Sequence, residues 1–376
     1  MRRTFWSISL AVSLALVLPA CKSKKDDKKK EPAPKVDTTK PNVPKEPPKP
    51  AVEKPTPESI VKRMHECMGY ADARELAKFK ECYAADVKSS YADAVPPMAV
   101  QGSDALVAGL QEFQKAFSDH GVQVQMAFVK DQDVVSVVLS HGTNDGAFMG
   151  MPATNKTMGV FSAGHVKMND KNQIAEEVYF MDQGSMMGQL TGGEWPHRAA
   201  VPAYASEPLI VIAKGDANET TNVKMIEEMS TAFNAHDMAK TMSYYSDDAR
   251  FMHMASPENV VGKEALTKSM EEYLKMTTDV KATATWTWGA GDYVLTRLTV
   301  EGTNNGPMPG GKPATNKPYK NDELNIYRIA DGKIASHWIF SNGMSFAVQL
   351  GLMPNPAEMP KGGAPEAAPK AAPKAG

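Results

Sequence analysis

Apolar side chains recur at three- and four-residue spacing near residues 57–70, 73–85 and 103–117, and again near 221–235, 238–246 and 263–275. That spacing predicts six amphipathic helices, three in each half of the chain. Thr56 followed by Pro57 marks the first start, a side-chain cap ahead of a residue whose missing N–H costs nothing there. Later in each half the pattern changes to alternation and to β-branched or aromatic runs. Residues 122–129, 134–140, 158–168 and 174–182 read as strands, and the second half repeats this between residues 280 and 342. Asp331-Gly332 is a two-residue hairpin signal that pairs Ala330 with Lys333. Helices first and an antiparallel sheet afterwards predict an α+β fold.

The halves are copies. His141-Gly142-Thr143-Asn144-Asp145-Gly146 matches Glu301-Gly302-Thr303-Asn304-Asn305-Gly306, and Pro152-Ala153-Thr154-Asn155-Lys156 recurs unchanged as Pro313-Ala314-Thr315-Asn316-Lys317. Gly102-Ser103-Asp104-Ala105-Leu106 corresponds to Gly262-Lys263-Glu264-Ala265-Leu266, and Gln189-Leu190 to Gln349-Leu350. A period of about 160 residues means duplicated globular units, because solenoid repeats run to about 20–50.

What precedes the first copy does not read as a domain. Arg2 and Arg3 lead into an apolar run over residues 8–18, too short to span a bilayer but of the length of a secretory signal. The run ends in Leu18-Pro19-Ala20-Cys21, which resembles the lipobox of bacterial lipoproteins and implies lipidation at Cys21. A lysine-rich run and a stretch with nine prolines follow, a composition that cannot bury enough surface to fold. The expected layout is residues 1–20 signal peptide, 21–56 tether, 57–193 first domain, 194–216 linker, 217–355 second domain and 356–376 an Ala/Pro/Lys tail. By resemblance to sorted lipoproteins, with Lys22 after the cysteine, the expected location is the cell envelope, at the outer membrane facing the periplasm.

With 42 basic against 44 acidic side chains in 376 residues, the net charge is −2, and the broad basic field of a nucleic-acid binder is missing. A mean hydropathy of −0.38 excludes a multispanning membrane protein. Cys67 and Cys82 fall on the first two predicted helices, which should pair antiparallel, and secretion favours a disulfide between them. Met149, Met151, Met158, Met168, Met181, Met186 and Met187 crowd the first copy. They form no short repeated metal-binding spacing and read as gap-filling core, so no metal and no cofactor is expected.

The helices before the sheet, the Gly-Thr-Asn-x-Gly strand end, the Pro-Ala-Thr-Asn-Lys loop, Ala330-Asp331-Gly332-Lys333-Ile334 and the closing Gln349-Leu350-Gly351-Leu352 resemble the SnoaL-like polyketide cyclase or ester cyclase family. The resemblance covers nearly all of residues 57–193 and 217–355. It implies two cone-shaped domains with the fold of nuclear transport factor two, packed on one another as a pseudo-dimer. It also implies that a small apolar or polyketide-like molecule is bound inside.

Counting back from the Asp331-Gly332 turn places Asn325 opposite Trp338 and Glu323 opposite Phe340, and opposed residues share a face. The expected interior of the second cone therefore includes Glu323, Asn325, Trp338, Phe340 and Asn342, with His253 on a nearby strand either lining it or standing at its edge. The same register puts Phe161, His165, Glu176, Val178, Phe180 and Asp182 inside the first cone, with His165 opposite Glu176. A carboxylate in an apolar hollow must be hydrogen-bonded, wetted or protonated, and Asp182 matches the position where the resembling cyclases hold their acid/base. Asp182 and His165 are thus the candidate catalytic residues of the first domain, and because Asp182 lies six residues beyond the position opposite His165, a direct contact between them does not follow. In the second, Asn342 stands for Asp182 and Asn325 for His165, and amides cannot shuttle protons. Binding, acid/base cyclisation or isomerisation, and a ligand-free envelope interaction module all remain open at this level.

Overall fold

A computed structural model describes residues 54–193 and 196–355. Residues 1–53, where the signal peptide, the lipidated Cys21 and nearly all of the tether are expected, and the expected tail at residues 356–376 lie outside the described residues. No helix among those described is long and apolar enough to cross a membrane.

The first half runs α1 (Pro57–Asp72), α2 (Leu76–Glu81), β1 (Tyr83–Tyr91), β2 (Met98–Gln101), α3 (Ser103–Ala116), β3 (Gly121–Lys130), β4 (Asp133–Thr143), β5 (Thr157–Met168), β6 (Ile174–Met181) and α4 (Gln183–Thr191). β7 (Leu209–Ile212) follows in the connector. The second half repeats the order as α5 (Ala217–Asn234), α6 (Met238–Ser243), β8 (Tyr245–His253), β9 (Val260–Val261), α7 (Lys263–Met276), β10 (Lys281–Ala290), β11 (Tyr293–Thr303), β12 (Pro318–Ala330), β13 (Lys333–Phe340) and α8 (Gly343–Gln349). The α+β reading holds. Thr56 caps α1 by accepting from the Ser59 N–H.

Each half is one sheet, ordered β2-β1-β6-β5-β4-β3-β7 in the first and β10-β11-β12-β13-β8-β9 in the second. Four features differ from the expected elements, the first being the short edge strands β2 and β9, which pair with β1 and β8. The predicted second helices are cut to α2 and α6, because the Tyr83 and Tyr245 segments leave them to form β1 and β8, which pair in parallel with β6 and β13. Short helices α4 and α8 close the halves. The connector contributes β7, whose Leu-Ile-Val-Ile run pairs with β3 as a β-branched stretch should.

The repeated motifs have a structural cause. Buried Asn144 donates through Nδ2 to the Ala116 and Gly146 carbonyls at 3.2 and 2.9 Å, and its Oδ1 accepts from the Thr154 N–H at 3.0 Å. Asn304 repeats this with Met276, Gly306 and Thr315 at 3.1, 3.0 and 2.7 Å. The Gly-Thr-Asn-x-Gly strand end is thereby pinned to the Pro-Ala-Thr-Asn-Lys loop and to the end of α3 or α7. A Cβ on Gly146 would sit 2.1 Å from the Lys115 carbonyl oxygen, and on Gly306 1.9 Å from that of Lys275, so only glycine fits. Cys67 on α1 and Cys82, just after α2, form a disulfide.

Each sheet has two covered faces. Helices lie on one: Ile60, Cys67 and Phe79 pack with Val134 and Val166 in the first half, and Ile226 and Met229 with Val294 and Tyr327 in the second. The opposite faces meet each other. Phe128, Val135, Val137, Ala163 and Phe180 of the first half share one apolar cluster with Trp288, Leu295, Leu324, Ile326 and Phe340 of the second. Phe128 lies 5.0 Å from Tyr293 between ring centroids, and the Arg297 guanidinium stands 5.4 Å over Phe180.

Candidate functional site

The hairpin of β12 and β13 starts in the expected register, Ala330 opposite Lys333 and Ile329 opposite Ile334, but Arg328 then faces Ser336. Ala335 is the extra residue of a bulge, and a bulge turns every later side chain of its strand to the other face. The same happens in the first half, where Met168 faces Ile174 but Lys167 faces Glu176, leaving Ala175 extra. Periodicity carries no trace of either.

Several expected positions are corrected by this slip. Trp338 lies opposite Ile326 and Phe340 opposite Leu324, so both point away from the helices and into the seam between the halves. Phe161, Val178 and Phe180 are there too. Glu176 is exposed, and it is Glu177 that turns inward. His165 lies opposite Val178, not Glu176. It is 7% exposed, packs 4.7 Å from the Trp286 ring of the second half, and its Nε2 is 2.8 Å from Asp133 Oδ1. That bond holds the Asp133 carboxyl below its usual range. The equivalence of His165 with Asn325 also fails: Val135 faces His165 while Leu295 faces Ile326, so His165 matches Ile326 and Gly164 matches Asn325. The loop before β12 holds one residue more than its counterpart, a signal already present in the spacing of the Pro-Ala-Thr-Asn-Lys motifs.

Asp182 has a structural role in the fold. It is the N-cap of α4, accepting from Gly184 N–H at 3.2 Å and Ser185 N–H at 2.7 Å, and it accepts a third bond at 2.9 Å from Gly343 N–H, in the first turn of α8. Asn342 answers it as the N-cap of α8. Its Oδ1 accepts from Met344 N–H at 3.2 Å and from Gln183 N–H of α4 at 3.3 Å, while its Nδ2 donates to the Asp93 carbonyl and to Gln183 Oε1. The two residues cap each other's helices across the seam. Burial raises the Asp182 carboxyl, and the Ser185, Gly184 and Gly343 donors oppose the rise. Asp182 and His165 each have their own hydrogen-bond partners, on α4 and α8 for the first and on Asp133 for the second, and no hydrogen bond joins the two among the described residues.

The helix-covered face of the second sheet carries the chemistry instead. His337 is buried there: its Nε2 lies 2.7 Å from Asn325 Oδ1 and its Nδ1 3.0 Å from the Tyr245 hydroxyl. Its ring stacks on Tyr327 at 4.1 Å. Asn325 Nδ2 in turn donates toward Glu323 Oε2 at 3.5 Å. Because the amide nitrogen faces a carboxyl, its oxygen faces His337. The proton then sits on His337 Nε2, and the Tyr245 hydroxyl donates to Nδ1. Burial pushes His337 down to about 3, helped by nearby His253, so the ring is neutral. Burial pushes Glu323 up to about 7, against the Asn325 bond and with help from Asp93 and Asp322. His253 points to the same face, since it pairs with Ile339 beside the His337–Phe251 pair; burial, then Arg198, brings it down to about 4.

A cleft of about 290 Å³ opens between α5 and the edge strand β10, lined by Ile226, Ser230, Asn234, Ala284, Thr287 and Thr296 among others. Thr296 faces Asn325 in the ladder, so Asn325 stands one strand inward from the cleft floor. The first cone is arranged differently. Glu177 accepts from Ser89 Oγ at 2.7 Å and Tyr179 OH at 3.1 Å, and burial raises it to about 7. Gly164 at the place of Asn325 leaves room for the Tyr179 ring, which a Cβ there would meet at 2.9 Å. Tyr91 packs 5.4 Å from that ring. No group of three or more His, Cys, Asp or Glu among the described residues is placed to hold a metal.

No curated protein matches the chain. Among solved structures it is similar to AclR of Streptomyces galilaeus (25% identity, 36% of this chain and 99% of that one, TM-score 0.33). It is likewise similar to IdmH of Streptomyces antibioticus (24%, 35% and 98%, TM-score 0.30) and TsrD of Streptomyces laurentii (22%, 36% and 97%, TM-score 0.32). Residues 58–190 match the SnoaL-like polyketide cyclase family and residues 226–337 the SnoaL-like domain family. The chain thus carries two SnoaL-like domains in tandem.

Proposed function

We propose that this is a lipid-anchored envelope protein whose second SnoaL-like domain binds a small molecule with an apolar body. The observation that carries the binding reading is the open cleft between α5 and β10, set beside the Tyr245–His337–Asn325–Glu323 string. Ligand sites pair a concave, largely apolar wall with a few placed polar groups, and the hydrogen-bonded string supplies polar groups behind the wall. The first domain, its cone occupied by Tyr179 and Tyr91, serves as the packing partner that buries the back of the second sheet. A thermal-shift screen of hydrophobic metabolites tests the reading: compounds that stabilise the protein are expected, and a blank across the panel refutes it.

The anchor rests on Arg2, Arg3, the apolar run and Cys21, and the Cys67–Cys82 bond suits an oxidising compartment. Incorporation of an alkyne-labelled fatty acid that disappears in Cys21→Ala is the expected result; label retained in that variant contradicts it.

A further inference from the structure

The two halves treat the same sheet edge differently. In the first, the connector covers β3: Tyr204 N–H donates to Gln123 Oε1 at 3.2 Å, Leu209–Ile212 of β7 pair with Met126–Val129, and Ala213 N–H donates to the Val129 carbonyl at 2.8 Å. A strand from outside the repeat thus completes that sheet. In the second half β10 ends its sheet. Both strands bulge at the same place, between Val124 and Met126 and between Ala284 and Trp286, so their positions correspond one to one. Gln123, Val124 and Gln125 are half-buried, whereas Thr283, Ala284 and Thr285 are exposed.

One residue of the β10 edge is already answered. Asn234, the last residue of α5, stands in for a neighbouring strand: its Oδ1 accepts from Ala282 N–H at 2.8 Å and its Nδ2 donates to the Ala282 carbonyl at 2.7 Å. Ala282 therefore turns its peptide groups away from β11, and alternation turns those of Ala284 the same way. No hydrogen bond reaches them from outside the sheet among the described residues. Past the bulge, Thr287 corresponds to Ala127, two residues before the Val129 carbonyl that the connector engages, and turns outward as well. Ala282, Ala284 and Thr287 all line the cleft, with Ile226 and Ser230 of α5 on the opposite wall. Glu227 and Lys281 add one charge of each sign, which suits a ligand held by uncharged peptide groups.

We propose that this cleft takes a short extended peptide of β-branched and apolar residues, which adds to β10 as a strand in the way that Leu209–Ile212 adds to β3. An open edge gives affinity through main-chain hydrogen bonds, while alternate side chains meet the facing helix. The first half supplies the chemistry of the occupant, since a Leu-Ile-Val-Ile run fills the corresponding edge there. The inference rests on the reading that the cleft is a binding site, and it names the ligand's class.

Calorimetric titration of the full-length protein with an N-acetylated peptide of residues 207–214, Glu-Pro-Leu-Ile-Val-Ile-Ala-Lys, tests it. An analogue methylated on the Ile210 and Val211 nitrogens, one for each edge of the strand, is expected to bind at least about tenfold more weakly. Ala284→Pro removes the outward N–H and spares the bonds to β11, and it is expected to weaken the unmodified peptide to a similar degree. Equal affinity of the two peptides, or binding unaltered in Ala284→Pro, overturns the proposal. If Ala284→Pro does not fold, hydrogen exchange at the Ala284 amide of the parent protein replaces it: the peptide slows exchange and the methylated analogue does not, and unchanged exchange overturns the proposal. Self-association of the parent protein that Ala284→Pro abolishes assigns the edge to a second copy, and peptide binding that appears only after removal of residues 356–376 assigns it to the tail; either overturns it. Failure of the peptide alongside stabilising compounds in the metabolite screen refutes the peptide alone, whereas failure of both refutes the cleft as well.

Discussion

Asp182 accepts three backbone N–H bonds, two from its own helix and one from the first turn of α8, and its role follows from them. Asp182→Ala is expected to cost about 0.5–2 kcal/mol as a lost cap, with further loss from the stranded Gly343 donor. Asp182→Asn, the residue its counterpart already uses, retains most of the stability. Chemical denaturation monitored by circular dichroism measures both, and an alanine variant as stable as the parent contradicts the capping role. Glu177 gives a pH signature. Burial raises its pKa from 4.5 to about 7, so the protein binds a proton that the unfolded chain releases, and this stabilisation is complete below about pH 4.5 and is lost as pH rises through 7. Glu177→Gln is therefore expected to raise the denaturation midpoint at pH 8 and to leave it little changed at pH 4.5; a variant destabilised more at pH 8 than at pH 4.5 contradicts the assignment. His337 works in the opposite sense. Its pKa falls from 6.5 to about 3, so its contribution is complete above about pH 6.5 and is lost on acidification toward 3.

At the scale of elements, an asparagine pin holds each half in shape and a disulfide adds to the first half. Asn144→Ala and Asn304→Ala each strand buried carbonyl and N–H groups in the strand-end loop and are expected to cost about 1–3 kcal/mol; an unfolding midpoint unchanged in either variant removes the pinning role. The Cys67–Cys82 bond closes a separation of 15 residues, for which chain entropy gives about 3 kcal/mol, measurable in Cys67→Ser/Cys82→Ser by urea denaturation. The helices, the four later strands of each half and the duplication were legible because each is written in periodicity or in repeated motifs. The interior of the cones was not. One bulge residue, Ala175 or Ala335, reverses the faces of Glu176 and Glu177 and of His337 and Trp338 while leaving the alternation of the strand intact. Glu323 and Asn325 lie on the helix-covered face because β12 is on the straight side of the bulge, and His253, left open by the sequence, lies there because β8 follows the shifted strand beside it. Strand β1 escaped notice because its burial depends on β6, far along the chain, and not on its own pattern.

For the whole molecule, the sheet faces that point away from the helices cover each other. Phe180 and Phe340 are fully buried in that shared cluster, and Asp182 and Asn342 lock its rim. Phe180→Ala and Phe340→Ala are each expected to cost about 3–5 kcal/mol and to destabilise both halves together, seen as one shifted transition in calorimetry; two separated transitions in the parent protein contradict coupled packing. The cleft proposed for the ligand lies on the helix-covered face of the second domain, and neither Asp182 nor His165 lines it. The most direct measurement compares the affinity of a ligand from the metabolite screen for Ala284→Phe, which fills the cleft from the exposed strand β10, and for Asp182→Asn. Loss of binding in the first with retention in the second is the predicted result. Retention in Ala284→Phe and loss in Asp182→Asn would contradict it.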